Sequence, residues 1–179
     1  RAYRCDGYGD SLFVVSRLTH LKRIGLVVDA LAHPDAAGVR CLIAGDGEEQ
    51  PALRARIDEL GLGGRVSLLG RLPEAAVLEH LARCRAVCFP PLREDYGFVT
   101  SEAFASRKAV ITCSDSGGPA ELVESGVNGL VTAPTAPALA AAIRTVMGDV
   151  ALAERYGTAG ADVAGRLTWE ETVSRLVLV

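Results

Sequence analysis

Two carboxylates, Glu94 and Glu102, lie eight positions apart on either side of Gly97, and this spacing is the strongest chemical signal in the chain. Glycine lets a backbone approach a ligand closely, and the amides of Gly97, Phe98 and Val99 would then open a helix whose N-terminus attracts phosphate. In the first turns of that helix, Glu102 would accept hydrogen bonds from ribose hydroxyls. Glu94, in the preceding loop, would bind a sugar beyond the phosphates. The alternative is two solvated acids beside a helix start.

Cations that suit phosphate stand early in the chain, at Arg17 and Lys22. A guanidinium can hold phosphate oxygens in a bidentate fashion, and an ammonium adds a compact point charge. Together they would neutralise a diphosphate, although a solvated basic turn explains these residues equally well.

Other loop residues could meet a ligand through their backbones. Gly45 lies in the glycine turn Gly45-Asp46-Gly47. Arg71 and Leu72 would read the edge of a nucleobase, with Arg71 stacked on its face. Gly117 and Gly118 form a nest before a helix, where a plain helix-entry turn is an equal alternative. The chain lacks both a Gly-x-Gly-x-x-Gly turn after the first strand and a Tyr-x-x-x-Lys pair, so a dehydrogenase or epimerase is disfavoured.

Short apolar runs that alternate with helical stretches must position these residues. The predicted strands are Leu12–Val15, Arg40–Ala44, Val66–Leu69, Ala86–Phe89, Ala109–Thr112 and Gly129–Thr132. The predicted helices are Lys22–Ala32, Glu49–Leu60, Glu74–Arg83, Gly97–Ser106, Pro119–Glu124, Ala138–Val146, Leu152–Val163 and Trp169–Leu178. This βαβ pattern predicts an α/β fold, a single Rossmann-like domain whose six-stranded parallel sheet has helices on both faces. Ligands of such sheets bind beyond the carboxyl ends of the strands.

Composition fits one domain in a chain of 179 residues, of which 49% are hydrophobic and 23% charged. We expect residues 1–10 to be a linker and residues 11–179 to be the nucleotide-sugar-binding domain. The formal net charge of -3, without a basic stripe, disfavours a nucleic-acid polymer as partner. No apolar run reaches the roughly 20 residues of a membrane span, and no secretion signal is evident.

The five cysteines lack the paired spacing of a zinc site, and we expect free thiols in a reducing cytosol. Their apolar surroundings favour packing over catalysis.

Several motifs together resemble glycosyltransferase family 4. They are Ser16-Arg17-Leu18 with Lys22, Gly45-Asp46-Gly47, Glu94 with Tyr96-Gly97 and Glu102-Ala103, Ser116-Gly117-Gly118-Pro119 with Glu121, and Asn128-Gly129-Leu130-Val131. The resemblance covers about residues 11–178 and is to the C-terminal, donor-binding half of the two-domain GT-B fold. We expect the N-terminal acceptor domain of that fold to be absent from this chain.

The resemblance implies a retaining enzyme that moves a hexose from a nucleotide sugar to a glycan or lipid-linked acceptor. It implies that Arg17 and Lys22 hold the diphosphate, Glu102 the ribose and Glu94 the transferred sugar, with no metal or other cofactor. This half is expected to be inactive without the acceptor domain, and a stand-alone nucleotide-sugar-binding module is the alternative. The protein is expected to be cytoplasmic. The complete protein could also associate peripherally with the inner face of the membrane. The resemblance departs at Ser16 and Arg23, where many relatives have glycine, and at Arg107, where the helix often ends in glycine. The base remains open among uracil, guanine and adenine.

Overall fold

The computed structural model describes residues 3–167 and has the predicted α/β architecture. The strands are β1 (Ser11–Val15), β2 (Arg40–Ala44), β3 (Val66–Gly70), β4 (Ala86–Cys88), β5 (Ala109–Cys113) and β6 (Gly129–Thr132). The helices are α1 (Ile24–Ala32), α2 (Gln50–Glu59), α3 (Glu74–Arg83), α4 (Phe98–Ala105), α5 (Gly118–Leu122), α6 (Ala136–Gly148) and α7 (Val150–Arg166). The predicted helix Trp169–Leu178 lies outside the described residues.

The six strands form one parallel sheet in the order β3-β2-β1-β4-β5-β6. Leu12 in β1 pairs with Cys41 in β2 on one side and with Ala86 in β4 on the other. The chain order reverses at this junction, so the loops after β1 and β4 diverge and open a crevice at the carboxyl edge. The predicted fold is therefore confirmed, and the crevice is where a ligand is expected.

Apolar side chains cover both faces of the sheet, which is why the strands are apolar without alternation. Leu12 and Val14 point into a core that α1, α2 and α6 complete. Phe13, between them in sequence, points to the opposite face and packs in the core that includes Phe104 of α4. All five residues of β5 are buried. The strands thus form a rigid layer from which the loops project.

Helix α7 packs closely against α4 and the turn that follows it, at two of its three glycines. A Cβ atom on Gly160 would lie 2.4 Å from Cδ1 of Phe104, and one on Gly157 would lie 2.0 Å from the carbonyl oxygen of Arg107. Neither position leaves room for a side chain. This contact helps to fix the orientation of α4, the helix that carries Glu102.

Two predicted helix starts are wrong, and both errors lie in the crevice. The helix predicted from Lys22 begins at Ile24, because Lys22 ends a short 3-10 helix and Arg23 takes a left-handed conformation with φ of 51°. Gly97 precedes α4 with φ of 74° instead of lying within it. A left-handed residue cannot continue a right-handed helix. Helix α3 has the predicted bounds, and the remaining helix boundaries shift by one to three residues.

The predicted strand end at Phe89 is also wrong. Strand β4 ends at Cys88, and Phe89 still donates its amide to the Ile111 carbonyl over 2.9 Å. Pro90 and Pro91 follow, and neither has an amide proton for a sheet hydrogen bond. The chain therefore leaves the sheet here and enters the loop that leads to Glu94.

Candidate functional site

The loops after β1 and β2 lie directly against each other at the carboxyl edge. The Leu18 amide donates to the Asp46 carbonyl over 2.7 Å. Gly45 has φ of 138°, and a Cβ atom there would lie 1.7 Å from the Ser16 carbonyl oxygen. Glycine at 45 is thus required by close packing of two loops, whereas the prediction that Gly45 contacts a ligand is not tested by this geometry.

Lys22 and Glu94 form an ion pair across the crevice, between the loop after β1 and the loop after β4. Both side chains are partly buried, with 21% and 27% of their surface exposed. The Lys22 ammonium also lies 5.7 Å from the centre of the Phe89 ring, close enough for a cation–π contact. The sequence predicted that both residues would bind a donor, and the structure brings them together.

The backbone around Glu94 is held by the turn that follows β5. The Glu94 amide donates to the Ser116 carbonyl over 2.9 Å, and the Gly118 amide donates to the Glu94 carbonyl over 2.8 Å. A Cβ atom on Gly117 would lie 2.4 Å from that same carbonyl oxygen. Gly117 and Gly118 therefore allow close packing against a neighbouring loop, and their predicted contact with a ligand stays a prediction.

Helix α4 begins at Phe98, directly after Gly97, which lies three residues beyond Glu94. Gly97 packs against Pro119, because a Cβ atom there would lie 2.5 Å from its Cγ. The Thr100 amide donates to the Gly97 carbonyl, so the amides of Phe98 and Val99 belong to the first turn, where helix geometry provides no acceptor within the helix. Phe98 is 72% exposed. This helix start is suited to an anion, as the sequence predicted.

Glu102 lies in the next turn of α4, partly buried, and its Oε1 atom accepts a hydrogen bond from the Tyr3 hydroxyl over 3.0 Å. The two residues line a shallow depression with Tyr96, Phe98 and Ser101. The Tyr96 and Phe98 rings contact each other at 4.8 Å between centroids. Glu102 is therefore accessible beside aromatic surface. Tyr3 was missed by the sequence analysis because it is 99 positions away.

Arg17 and Arg71 are exposed, each in a loop at the carboxyl edge, after β1 and β3 respectively. Within residues 3–167, neither side chain forms a hydrogen bond or an ion pair with another described residue. Leu72, next to Arg71, is partly buried against the core on the α4 face. The structure places the two cations at the expected edge and leaves their predicted roles as predictions.

Arg23 and Asp115 form a second charged contact that the sequence analysis did not predict. The Arg23 guanidinium donates to both oxygens of Asp115, over 2.8 and 2.7 Å, and to the carbonyls of Pro90 and Pro91, over 2.8 and 2.6 Å. The hydrogen bond from Arg23 lowers the pKa of the Asp115 carboxyl below its usual value. The available signal was Asp115 itself, an acid immediately before the predicted glycine turn.

Residues 8–163 match the family model for glycosyl transferases group 1. This chain belongs to that family. The chain is 33% identical over 180 residues to an exopolysaccharide phosphotransferase of Streptomyces coelicolor, a match that covers 94% of this chain and 19% of that protein. It is 33% identical over 154 residues to a glycogen synthase of Mycobacterium tuberculosis, covering 83% of this chain and 36% of that enzyme.

The fold of this group 1 domain is also that of solved glycosyltransferase structures. The structure of Anabaena HepE in complex with UDP and glucose superimposes with a TM-score of 0.79 and 30% identity, over 94% of this chain and 47% of that one. The domain therefore spans less than half the length of each of these proteins, and it corresponds to one half of a GT-B fold.

Four of the cysteines lie in the core of the group 1 domain. Cys41, Cys84, Cys88 and Cys113 are buried, and burial raises the pKa of Cys41 and of Cys84 to about 12. Such thiols are poor nucleophiles. All five cysteines are free, as predicted. Among residues 3–167, no cluster of histidine, cysteine and acidic side chains could hold a metal ion.

No single helix within the same residues is long and apolar enough to cross a membrane. Helices α6 and α7 pass such a test when taken together, across a bend of 99°.

Proposed function

We propose that this domain is the C-terminal, donor-binding half of a retaining glycosyltransferase of family 4, which moves a hexose from a nucleotide sugar to a glycan or lipid-linked acceptor. The observation that carries the proposal is the placement of Lys22 and Glu94 together at the carboxyl edge. Gly97 lies three residues after Glu94, and α4 starts directly after Gly97. A cation, an acid and a helix N-terminus are thereby available to the diphosphate and the sugar of one ligand.

In the proposed complex, the phosphates lie at the first amides of α4, and Lys22 turns from Glu94 to a phosphate oxygen. Arg17, which is exposed in the same loop, adds the second cation. Glu102 accepts hydrogen bonds from the ribose hydroxyls, and Arg71 and Leu72 flank the base. When Lys22 binds a phosphate oxygen instead of Glu94, the Glu94 carboxylate can accept hydrogen bonds from the sugar. The ion pair thus holds both side chains at the proposed donor site.

Transfer breaks the bond between the anomeric carbon and the diphosphate oxygen, and the diphosphate leaves with the electron pair. Negative charge grows on it, and Lys22, Arg17 and the α4 amides stabilise that charge where it develops. These groups do the electrostatic work that a metal does elsewhere, and we propose that none is needed. The acceptor hydroxyl forms the new bond on the face that the diphosphate leaves, which retains the configuration, and its proton passes to the departing diphosphate oxygen.

The acceptor would be held by the N-terminal domain of the complete protein, and the present half would then be inactive alone. HepE, the 30% identical relative, was solved with UDP and glucose, which supports a uridine nucleotide as the first ligand to test. A cytoplasmic protein, peripheral at the inner membrane face if its acceptor is a lipid, fits this proposal.

A second candidate is a nucleotide-sugar-binding module without its own turnover. The Streptomyces phosphotransferase favours it, because that protein matches this domain over 19% of its length and is named for a different transfer. Activity of the complete protein distinguishes the candidates. Release of free UDP that depends on an acceptor supports a glycosyltransferase, and nucleotide binding without UDP release supports the module.

Calorimetric titration of the chain with UDP, GDP and ADP tests the donor site itself. We expect saturable binding of one diphosphate without added metal, weakened by Glu102→Ala by roughly 1–3 kcal/mol because ribose hydrogen bonds are lost. Glu154→Ala, at an exposed acid on α7, is the matched control and should bind as the wild type does. A folded wild-type chain that binds none of the three would contradict a preformed donor site, and equal binding by Glu102→Ala would remove its ribose role.

A further inference from the structure

Arg23 occupies a backbone position that glycine would fill at lower cost. Its φ of 51° is in the left-handed region, at the junction between the 3-10 helix and α1. Non-glycine residues are uncommon there because the Cβ atom crowds the backbone. The side chain is only 16% exposed, so it is held in place and not extended into solvent. A strained residue with an ordered side chain indicates that the side chain has a structural purpose.

The four hydrogen bonds of the guanidinium all reach loops of the crevice. Two go to the carboxylate of Asp115, just after β5, and two go to the carbonyls of Pro90 and Pro91, just after β4. Since the prolines end the strand, their carbonyls cannot rely on a continued sheet for donors. The planar fork of arginine suits this task, and the single ammonium of lysine could not make the same four bonds.

Backbone hydrogen bonds join the same loops next to both members of the ion pair. The Leu92 amide donates to the Leu21 carbonyl over 2.7 Å, on one side of Lys22, while Arg23 binds on the other side. The Arg93 amide donates to the Asp115 carbonyl over 3.1 Å, immediately before Glu94. Lys22 directly precedes Arg23 in the chain. Glu94 directly follows Arg93, whose amide binds Asp115, the partner of Arg23.

We propose that Arg23 is a positioning residue of the donor site, which fixes the separation of Lys22 and Glu94 by tying the loop after β1 to the loops after β4 and β5. The inference rests on the proposed function for its effect on ligand binding. Its structural part, the ordering of the loop at 89–96, stands independently. Arg23 does not itself touch the proposed donor, and acts through the placement of Lys22.

Three variants separate the side chain from the backbone. Arg23→Gly relieves the left-handed strain and removes the guanidinium, and Arg23→Lys keeps the charge without the fork. Arg56→Ala is the control, because it removes a surface arginine of α2 that also contacts two carboxylates, those of Asp29 and Glu59. We expect Arg23→Gly to weaken UDP binding roughly tenfold with uridine affinity unchanged, because the diphosphate contacts are displaced. Arg23→Lys should restore little, and Arg56→Ala should have no effect.

Hydrogen exchange of the backbone amides of residue 89 and residues 92–96 gives a measurement that needs no ligand. Arg23→Gly should speed their exchange, while the exchange of β5 stays slow. Unchanged exchange and unchanged UDP affinity would overturn the proposal, and so would equal losses for UDP and uridine, which indicate general destabilisation. If wild-type chain binds no nucleotide, the proposed function fails. Faster loop exchange in Arg23→Gly would then still support the positioning of Lys22 and Glu94, and unchanged exchange would reject it.

Discussion

The Lys22 ammonium and the Glu94 carboxylate, 72 positions apart in the chain, form an ion pair across the crevice. Each is a group that a nucleotide sugar would need, one for its phosphates and one for its sugar. Their pairing neutralises two partly buried charges that would otherwise lose solvation without a partner. Under the proposed function, a donor phosphate would replace Glu94 as the partner of Lys22, and the two residues should respond differently to substitution.

Lys22→Ala should weaken UDP binding by about 1.5–3 kcal/mol, because a charge-assisted contact to phosphate is lost. The affinity for uridine, which has no phosphate, should stay the same. Calorimetric titration of the two ligands measures the difference directly. An equal loss for UDP and uridine would place Lys22 away from the phosphates.

Glu94→Gln should leave the affinity for UDP unchanged or raise it, since the Lys22 ammonium is freed and a negative charge near the phosphates is removed. In the complete protein the same substitution should lower kcat for sugar transfer. The proposed hydrogen bonds from the sugar to Glu94 would stabilise the transition state, and the substitution weakens them. Steady-state kinetics with UDP as a competitive inhibitor gives both quantities. A large rise in the inhibition constant for UDP with normal kcat would reverse the assignment.

The sequence predicted the sheet and the helix starts to within a few residues where local patterns decide them. Strand β6 has the predicted bounds, Gly129–Thr132, because an apolar run between turn residues is a local property. Arg23 shows why the rest could not be predicted. Helix periodicity continues through it, and its left-handed conformation is stabilised by partners 67 to 92 positions away. Arg107, a further departure from glycine, likewise has a left-handed backbone, with φ of 55°.

The site was predicted in its residue types better than in its contacts. Glu94 and Glu102 lie in the loop and in the helix as expected, because Gly97 marks the boundary locally. That Glu102 accepts from Tyr3, and Lys22 pairs with Glu94, depends on how distant segments pack. Gly45 and Gly117 also allow loops to pack closely, a role that the sequence did not predict, and their expected contacts with a ligand stay predictions.

Gly97→Ala should destabilise the fold and the start of α4 together. At φ of 74° an alanine costs about 1–2 kcal/mol, and its Cβ atom would in addition overlap Pro119. Gly61→Ala is the matched control, with φ of 65° and open space around the position. Urea unfolding should show a loss for Gly97→Ala that exceeds the control by about 1–3 kcal/mol. Equal losses would mean that Pro119 moves aside without cost.

Asp115 should give the domain a specific loss of stability in acid. The hydrogen bond from Arg23 lowers the pKa of the folded carboxyl below the ordinary value of 3.8, so folding favours the ionised form. This contribution is fully present above pH 3.8 and is lost as the pH falls through the lower, folded value. The free energy of unfolding of the wild type should exceed that of Asp115→Asn at neutral pH, and the difference should shrink as the pH is lowered below 3.8. In an Arg23→Ala background the difference should be small at every pH, because the partner is gone. A difference that stays constant into acid would show that Asp115 contributes through its shape and hydrogen bonds, and that its charge has no part.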